Sequence, residues 1–278
     1  MLTPTGELMA AAAARSRGVG AFNVIMLEHA ESLVAGAEAA GAPVILQISQ
    51  NAVRYHGALE PLALATLAVA RAAATPVAVH LDHATDVDLV HRAVALGFGS
   101  VMYDASPMSY VDNVAATAKV ADYCHDHGVF VEAELGEVGG KDGVHSPGAR
   151  TDPAEARDYA AATGVDALAV AVGTSHAMLT RDAAVDLELI ARLRATVPVP
   201  LVLHGSSGVP DPDLTRAVEA GMTKINIGTR LNAVFTRAVR GYLADHPDIV
   251  DPRTYLRPAR AAISAEVARI LTVIRATN

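Results

Sequence analysis

Residues 76–97 read PVAVHLDHATDVDLVHRAVALG. The opening PVAV is material for a buried strand, yet it runs directly into His80, Asp82 and His83 before the chain turns. Thr85 or Asp86 can cap a following helix, in which Val87, Val90, Val94 and Leu96 fall largely on one side and Gly97 supplies a stop. A strand, a loop and a helix in that order are the repeating unit of parallel sheets. A strand end of the form His-x-Asp-His is either an odd piece of core or the start of a metal site.

The same unit recurs along the chain. Short apolar or β-branched runs stand at VGAFNV (19–24), PVILQI (43–48), PVAVHLD (76–82), SVMYD (100–104), VFVEAEL (129–135), VDALAVAV (165–172), VPLVLH (199–204) and TKINI (223–227). The gaps between these eight runs are long enough for crossover helices, so a parallel sheet is expected. Eight units in 278 residues suit a closed (β/α)8 TIM barrel, read as one domain over 1–278 with a C-terminal helical extension. The alternative is an open doubly wound sheet, but no G-x-G-x-x-G fingerprint follows the first run.

Composition narrows the function. The chain is 51% hydrophobic and 19% charged, with net charge −8 and a pI near 5.7. That balance argues against nucleic acid or an anionic membrane as the main partner, while leaving room for anionic small molecules. Cys124 is the only cysteine, so neither a disulfide framework nor a thiolate zinc cluster is expected. The N-terminal segment MLTPTGELMAAAAARSRG lacks the basic start of a secretory signal, and no apolar run reaches the roughly 18 residues of a spanning helix. The expectation is a soluble, cytoplasmic protein.

In a barrel of this kind chemistry sits at the C-terminal ends of the strands. Those ends carry Asn23, Ser49, Asp82 with His83, Asp104, Glu134, His176, His204 with Gly205, and Asn226. Such a filled set of polar groups after apolar runs reads as one shared site. His83, His176 and His204 suit a catalytic divalent zinc ion with open positions for substrate. Each alone would more often be a hydrogen-bonded core or surface residue, and it is the three together that point to a metal. His80 points with Asp82 by strand alternation and is expected to pack beneath the site rather than bind metal. Asp82 suits a general acid/base, or else supports a ligand or caps a helix. Asp104 and Glu134 suit a second cation or hydrogen-bond anchoring, with Glu132 supporting Glu134 from deeper in the barrel. His29, His91, His125, His127 and His246 fall in helical stretches, where a solvated face is expected, and His56 and His145 fall in loops. HGSSGVPDP (204–212) and NIGT (226–229) are small-residue loops before helices, suited to binding a phosphate.

Taken together, AFNV (21–24), HLDHATD (80–86), SVMYDAS (100–106), VEAELGEVGG (131–140), GVDALAVAVGTSH (164–176), LVLHGSSGVPD (201–211), GMTKINIGT (221–229) and DPRTYLRPAR (251–260) resemble the class II, zinc-dependent ketose-bisphosphate aldolases. The match covers nearly the whole chain in the family's order, and the short length and the AELG…GG loop are closer to the shorter bacterial fructose- and tagatose-bisphosphate aldolases. The resemblance implies that His83, His176 and His204 hold the catalytic zinc and that Asp82 is the acid/base at the hydroxyl of the cleaved bond. It implies a second divalent or monovalent cation near Asp104 and Glu134. It places the ketose phosphate at Gly205, Ser207, Asn226 and Thr229, with Asn23 and Ser49 as further substrate contacts. Arg253, with Arg257 and Arg260 as alternatives, would meet the far phosphate, and a homodimer or homotetramer is the family's expectation. The implied reaction is reversible cleavage of fructose or tagatose 1,6-bisphosphate to dihydroxyacetone phosphate and an aldehyde such as glyceraldehyde 3-phosphate, through an ene-diolate. Another ketose phosphate, such as a deoxyketogluconate phosphate, is the alternative substrate.

Three positions depart from the family's pattern. GGKDG (139–143) offers Lys141 where an acid often stands, leaving Asp142 as the proton shuttle. Ala177 follows His176 where relatives often have glycine, and Gly228 stands where many longer relatives place an aspartate. Two rival functions remain at this level. A Schiff-base aldolase would need Lys119, Lys141 or Lys224. A non-catalytic barrel stabilising an aldolase complex would have little reason to keep three strand-end histidines.

Overall fold

A computed structural model describes residues 1–135, 150–175 and 180–276 of the chain. The strands are β1 (Val19–Asn23), β2 (Val44–Ser49), β3 (Val77–Ala84), β4 (Ser100–Tyr103), β5 (Phe130–Glu134), β6 (Ala167–Ala169), β7 (Leu201–Leu203) and β8 (Met222–Ile227). They pair in parallel and in sequence order, and β8 returns to β1 to close the barrel. The TIM barrel expected from the eight runs is therefore the fold.

The helices are α1 (Thr5–Ala13), α2 (Leu27–Ala40), α3 (Gln50–His56), α4 (Glu60–Ala72), α5 (Val87–Leu96), α6 (Tyr110–Asp126), α7 (Pro153–Thr163), α8 (Leu187–Thr196), α9 (Asp211–Ala220), α10 (Thr229–Asp245) and α11 (Pro252–Val273). Alternation along the strands divides the apolar residues into two cores. Phe22, Leu46, Val79, Leu81, Val101, Val131, Leu203 and Ile225 face outward and pack with the helices. Val19, Ala21, Ile45, Ala78, Met102, Ala167, Ala169 and Val202 face inward, and Leu8, Met9 and Ala12 of α1 join them. The inner core fills one end of the barrel and leaves the C-terminal strand ends to polar side chains. No helix among the described residues is long and apolar enough to cross a membrane.

Local chemistry sets the element ends. Asp86 caps α5 by accepting from the Asp88 N–H at 2.9 Å, and Gly97 ends the helix in the left-handed region. The buried face of α5 is Leu89, Val90 and Ala93, whereas Val87 is 38% exposed. Of the expected apolar side, Val90 is buried and Val94 and Leu96 pack against the core, so only Val87 departs, as the first helical residue where the chain is still arriving from the barrel mouth. His56 ends α3 rather than lying in a loop.

His29 corrects a second expectation. It lies in α2 but is buried, standing perpendicular to the Phe235 ring at 5.1 Å, with Nδ1 accepting from the Ile25 N–H at 3.2 Å. Burial pushes its pKa down to about 4, against a smaller upward pull from Glu28. An unfolded chain protonates this residue below its ordinary value near 6.5, while the folded protein holds it neutral until about pH 4. Stability from this group is thus present above pH 6.5 and is lost as the pH falls to 4, by roughly 3 kcal/mol. Urea unfolding of His29→Asn should show a flatter fall in stability between pH 7 and 4.5 than the parent protein; parallel curves would overturn this account.

Candidate metal centre

Inward-facing residues become more polar toward the C-terminal strand ends. Above the apolar floor lie His80, Glu132 and Lys224, all buried, and one alternation further on lie Asp82, Glu134 and Asn226 on the same strands. Asn23, Asp104 and His204 join them from β1 and from the residues just after β4 and β7.

Strand geometry alone would send Asp82 and His83 to opposite faces. The backbone breaks that rule, since His83 has φ +49 and the pairing of β3 with β4 shifts register between Leu81 and Ala84. A left-handed residue at a bulge re-aims its side chain, so both neighbours reach the barrel mouth. Gln50 fixes the chain just beyond, its Oε1 accepting from the N–H groups of Thr85 at 2.9 Å and Asp86 at 3.2 Å.

His83, Glu134 and His204 converge, each offering a ligand atom within 4.8 Å of the others. His83 Nε2 lies 3.0 Å from His204 Nδ1, and Glu134 Oε2 is 3.7 Å from that same Nδ1. The opposite ring nitrogens meet carboxylates: His83 Nδ1 lies 2.9 Å from Asp104 Oδ2, and His204 Nε2 lies 3.0 Å from Glu132 Oε1. Each carboxylate accepts an N–H, which turns the unprotonated nitrogen of each ring toward the other. Carboxylate–histidine pairs of this kind orient metal-binding imidazoles, and two nitrogens with one carboxylate oxygen suit a divalent ion such as zinc. The residues therefore fit the metal that the sequence pattern implies.

Asp82 stands beside this group, its Oδ1 at 4.0 Å from His83 Nε2. Its Oδ2 accepts from Asn23 Nδ2 at 3.1 Å, and Gln47 Nε2 donates to Asn23 Oδ1 at 3.1 Å. Burial works to raise the Asp82 pKa, but the neighbouring imidazoles of His83 and His204, the Lys224 ammonium and the Asn23 hydrogen bond leave it below the ordinary carboxylate range. An ionised carboxylate fixed by a carboxamide is chemically able to accept a proton.

A sequence profile described as Fructose-bisphosphate aldolase class-II matches residues 3–278. The chain belongs to that family. Its enzymes are metal-dependent aldehyde-lyases, and this class II aldolase shares their barrel. It is similar to the YdjI aldolase of Escherichia coli K12, with 31% identity over 99% of this chain and 97% of that one and a TM-score of 0.87. A candidate fructose-1,6-bisphosphate aldolase of Coccidioides immitis is 27% identical over 99% and 96% of the two chains, with a TM-score of 0.88. The fructose-bisphosphate aldolase of Campylobacter jejuni, at 22% identity over 100% and 96% with a TM-score of 0.82, shares the fold.

Several sequence-derived site residues sit together and others do not. Asn23, Asp82, His83, Asp104, Glu134, His204 and Asn226 share the mouth of the barrel of this aldolase, with Asn226 Nδ2 3.2 Å from His204 Nε2. Asp104 locks His83, while Glu134 joins the two histidines. Glu132 lies one alternation deeper than Glu134 as expected, but the groups it holds are His204 and Lys224. Ser49 caps α3 by accepting from the Ala52 N–H at 3.2 Å. His176, Asp142, Lys141, Ala177 and His145 lie outside the described residues. The chain leading to His176 is docked, with Thr174 Oγ1 donating to the His204 carbonyl at 2.6 Å. Gly205, at φ +70, permits this approach, because a Cβ there would stand 2.5 Å from the Ser175 carbonyl oxygen.

Ser207 Oγ accepts from the Arg230 N–H at 3.2 Å, joining the loop after β7 to the start of α10, where Thr229 is the first residue. Behind them Asp211 is shared by Arg181 at 2.5 Å, Arg269 at 2.6 Å and Arg230 at 3.4 Å, while Arg230 and Arg269 both pair with Glu266. Burial acts to raise the Asp211 pKa, but the Arg181 and Arg269 bonds bring it down to about 2. Arg253 is 87% exposed and paired with Asp251, Arg260 pairs with Glu31, and Arg257 is exposed.

Gln47 escaped the sequence reading, although it lies one alternation before Ser49 and so shares its face. Lys224, weighed as a Schiff-base lysine, is buried with Nζ 2.6 Å from Glu132 Oε2. Gly228 explains how Asn23 reaches Asp82, since a Cβ at 228 would lie 2.5 Å from Asn23 Oδ1. Gly228→Ala should therefore displace Asn23 and lower kcat for aldol cleavage by about 10- to 100-fold while metal content, read by elemental analysis, stays unchanged. An unaltered kcat would remove Asn23 from the positioning of Asp82.

Proposed function

We propose that this class II aldolase is zinc-dependent and cleaves a phosphorylated ketose, fructose or tagatose 1,6-bisphosphate, to dihydroxyacetone phosphate and glyceraldehyde 3-phosphate. The observation that carries the reading is the Asp82 carboxylate 4.0 Å from the metal-facing nitrogen of His83. His83 and His204 hold the ion, with His176 as the third ligand and Glu134 beside them. Zinc there supplies Lewis-acid stabilisation of the negative charge that cleavage leaves next to a carbonyl.

The chain's own groups supply the rest. Asp82 takes the proton of the hydroxyl on the carbon that becomes the aldehyde, as the adjacent carbon–carbon bond breaks. Asn23 holds Oδ2 of that carboxylate, so Oδ1 faces the hydroxyl. Asp142 returns a proton to the carbon that has gained the electron pair. Gly205, Ser207 and Thr229 receive the ketose phosphate near the start of α10, where backbone N–H groups and the helix dipole favour an anion. Arg253 meets the far phosphate from a neighbouring subunit, in keeping with its exposure, and Arg257 or Arg260 is the alternative. The assembly is a homodimer or homotetramer in the cytoplasm, and a further cation lies near Asp104 and Glu134.

The test is an aldol-cleavage assay over a panel of phosphorylated ketoses, with and without chelator. Cleavage of either bisphosphate, abolished by chelator and restored by zinc, is expected; cleavage of a deoxyketogluconate phosphate alone would replace the substrate. A zinc-loaded protein that cleaves none of them would identify a non-catalytic barrel. Asp82→Asn should retain zinc yet lose about 10²- to 10⁴-fold in kcat, whereas His83→Ala should lose the zinc itself.

A further inference from the structure

A lysine has no ordinary place inside a barrel next to an apolar floor. Lys224 is nonetheless 1% exposed, and its Nζ donates to Glu132 Oε2 at 2.6 Å. The other oxygen of that carboxylate, Oε1, is the one that faces His204 Nε2 at 3.0 Å. On the far side Lys224 Nζ lies 3.4 Å from His80 Nε2, and His80 Nδ1 lies 2.7 Å from Ser100 Oγ, which accepts from Thr5 Oγ1 at 2.7 Å. An unbroken line of buried polar groups thus runs from α1 at the closed end of the barrel to His204. Burial and the Lys224 charge keep His80 well below the usual imidazole pKa, so its Nε2 is free to accept from the ammonium.

Stability is a poor reason for this pair. Removing two charges from water costs several kcal/mol, and a buried ion pair often does no better than apolar side chains of equal volume. A fixed orientation is what such a pair does provide. With Oε2 held by Lys224, Glu132 turns Oε1 to His204, and a carboxylate at that position favours the proton on Nε2. Nδ1 is left unprotonated and faces His83 and Glu134.

We propose that Lys224 is a positioning residue for the metal centre, acting through Glu132 to fix the tautomer and orientation of His204. The proposal rests on the reading of His204 as a metal ligand. It gives Lys224 no covalent role and no contact with substrate.

Zinc affinity measured by competition with a chromophoric chelator tests it, together with the visible spectrum of the cobalt-substituted protein. Lys224→Met and Glu132→Gln should each weaken zinc binding roughly 10- to 100-fold, the usual effect of losing a partner behind a ligand, and each should shift the cobalt bands. Because Lys224 acts through Glu132, the double variant should bind zinc about as weakly as the weaker single one. The metal-free double variant should unfold no earlier than the parent protein. Affinities within twofold of the parent, or losses that multiply in the double variant, would overturn the proposal. Glu132→Gln keeps the shape of the side chain and reads the same effect if Lys224→Met fails to fold. A parent protein that binds zinc but cleaves no ketose phosphate would sink the proposed reaction and leave this inference standing.

Discussion

The left-handed backbone at His83 is the constraint from which the site follows. A regular strand would offer the mouth of the barrel either Asp82 or His83. The register shift between Leu81 and Ala84 delivers both, at a backbone cost of about 1–3 kcal/mol. Surrounding bonds hold that conformation in place: Asp104 on the imidazole, Asn23 on the carboxylate, and Gln50 on the next two backbone N–H groups. The Asp82 carboxylate and the His83 imidazole thus reach the same site as immediate neighbours in the chain, with no loop between them to alter their spacing.

Charge is the second organising feature. Asp82, Asp104, Glu132 and Glu134 are all buried around His83 and His204, where repulsion between carboxylates is much stronger than in water. Lys224 balances one of them directly. A divalent ion held by His83, Glu134 and His204 would balance the region further.

The barrel was legible because its signal is redundant. Eight apolar runs with crossovers of helical length leave few other ways to bury a parallel sheet, so small errors at run ends do not matter. His204, Asp82 and Asn226 were legible for a related reason, each being a polar residue at the end of an apolar strand. What escaped was anything that depends on which atoms meet across the barrel. Glu132 and Lys224 lie 92 residues apart, and no local pattern announces that they share a hydrogen bond. His29 was misjudged because a helix with apolar residues on much of its surface does not reveal which side a second layer covers, and Phe235 of α10 supplies that layer. Gly228 read as a missing aspartate, whereas in space it is room for Asn23.

The shared carboxylate of Asp211 joins parts of the chain that otherwise have little in common. Arg181 comes from the segment after β6, Arg230 from the start of α10, and Arg269 from α11, which also supplies Glu266. Three neighbouring edges of the barrel mouth are thereby tied to a helix on the outside of the molecule. Sequence drift in α11 can tilt those edges together while every residue that would touch a sugar stays the same. Divergence in substrate preference among such barrels can thus begin on the outer surface, with the pocket itself changing later.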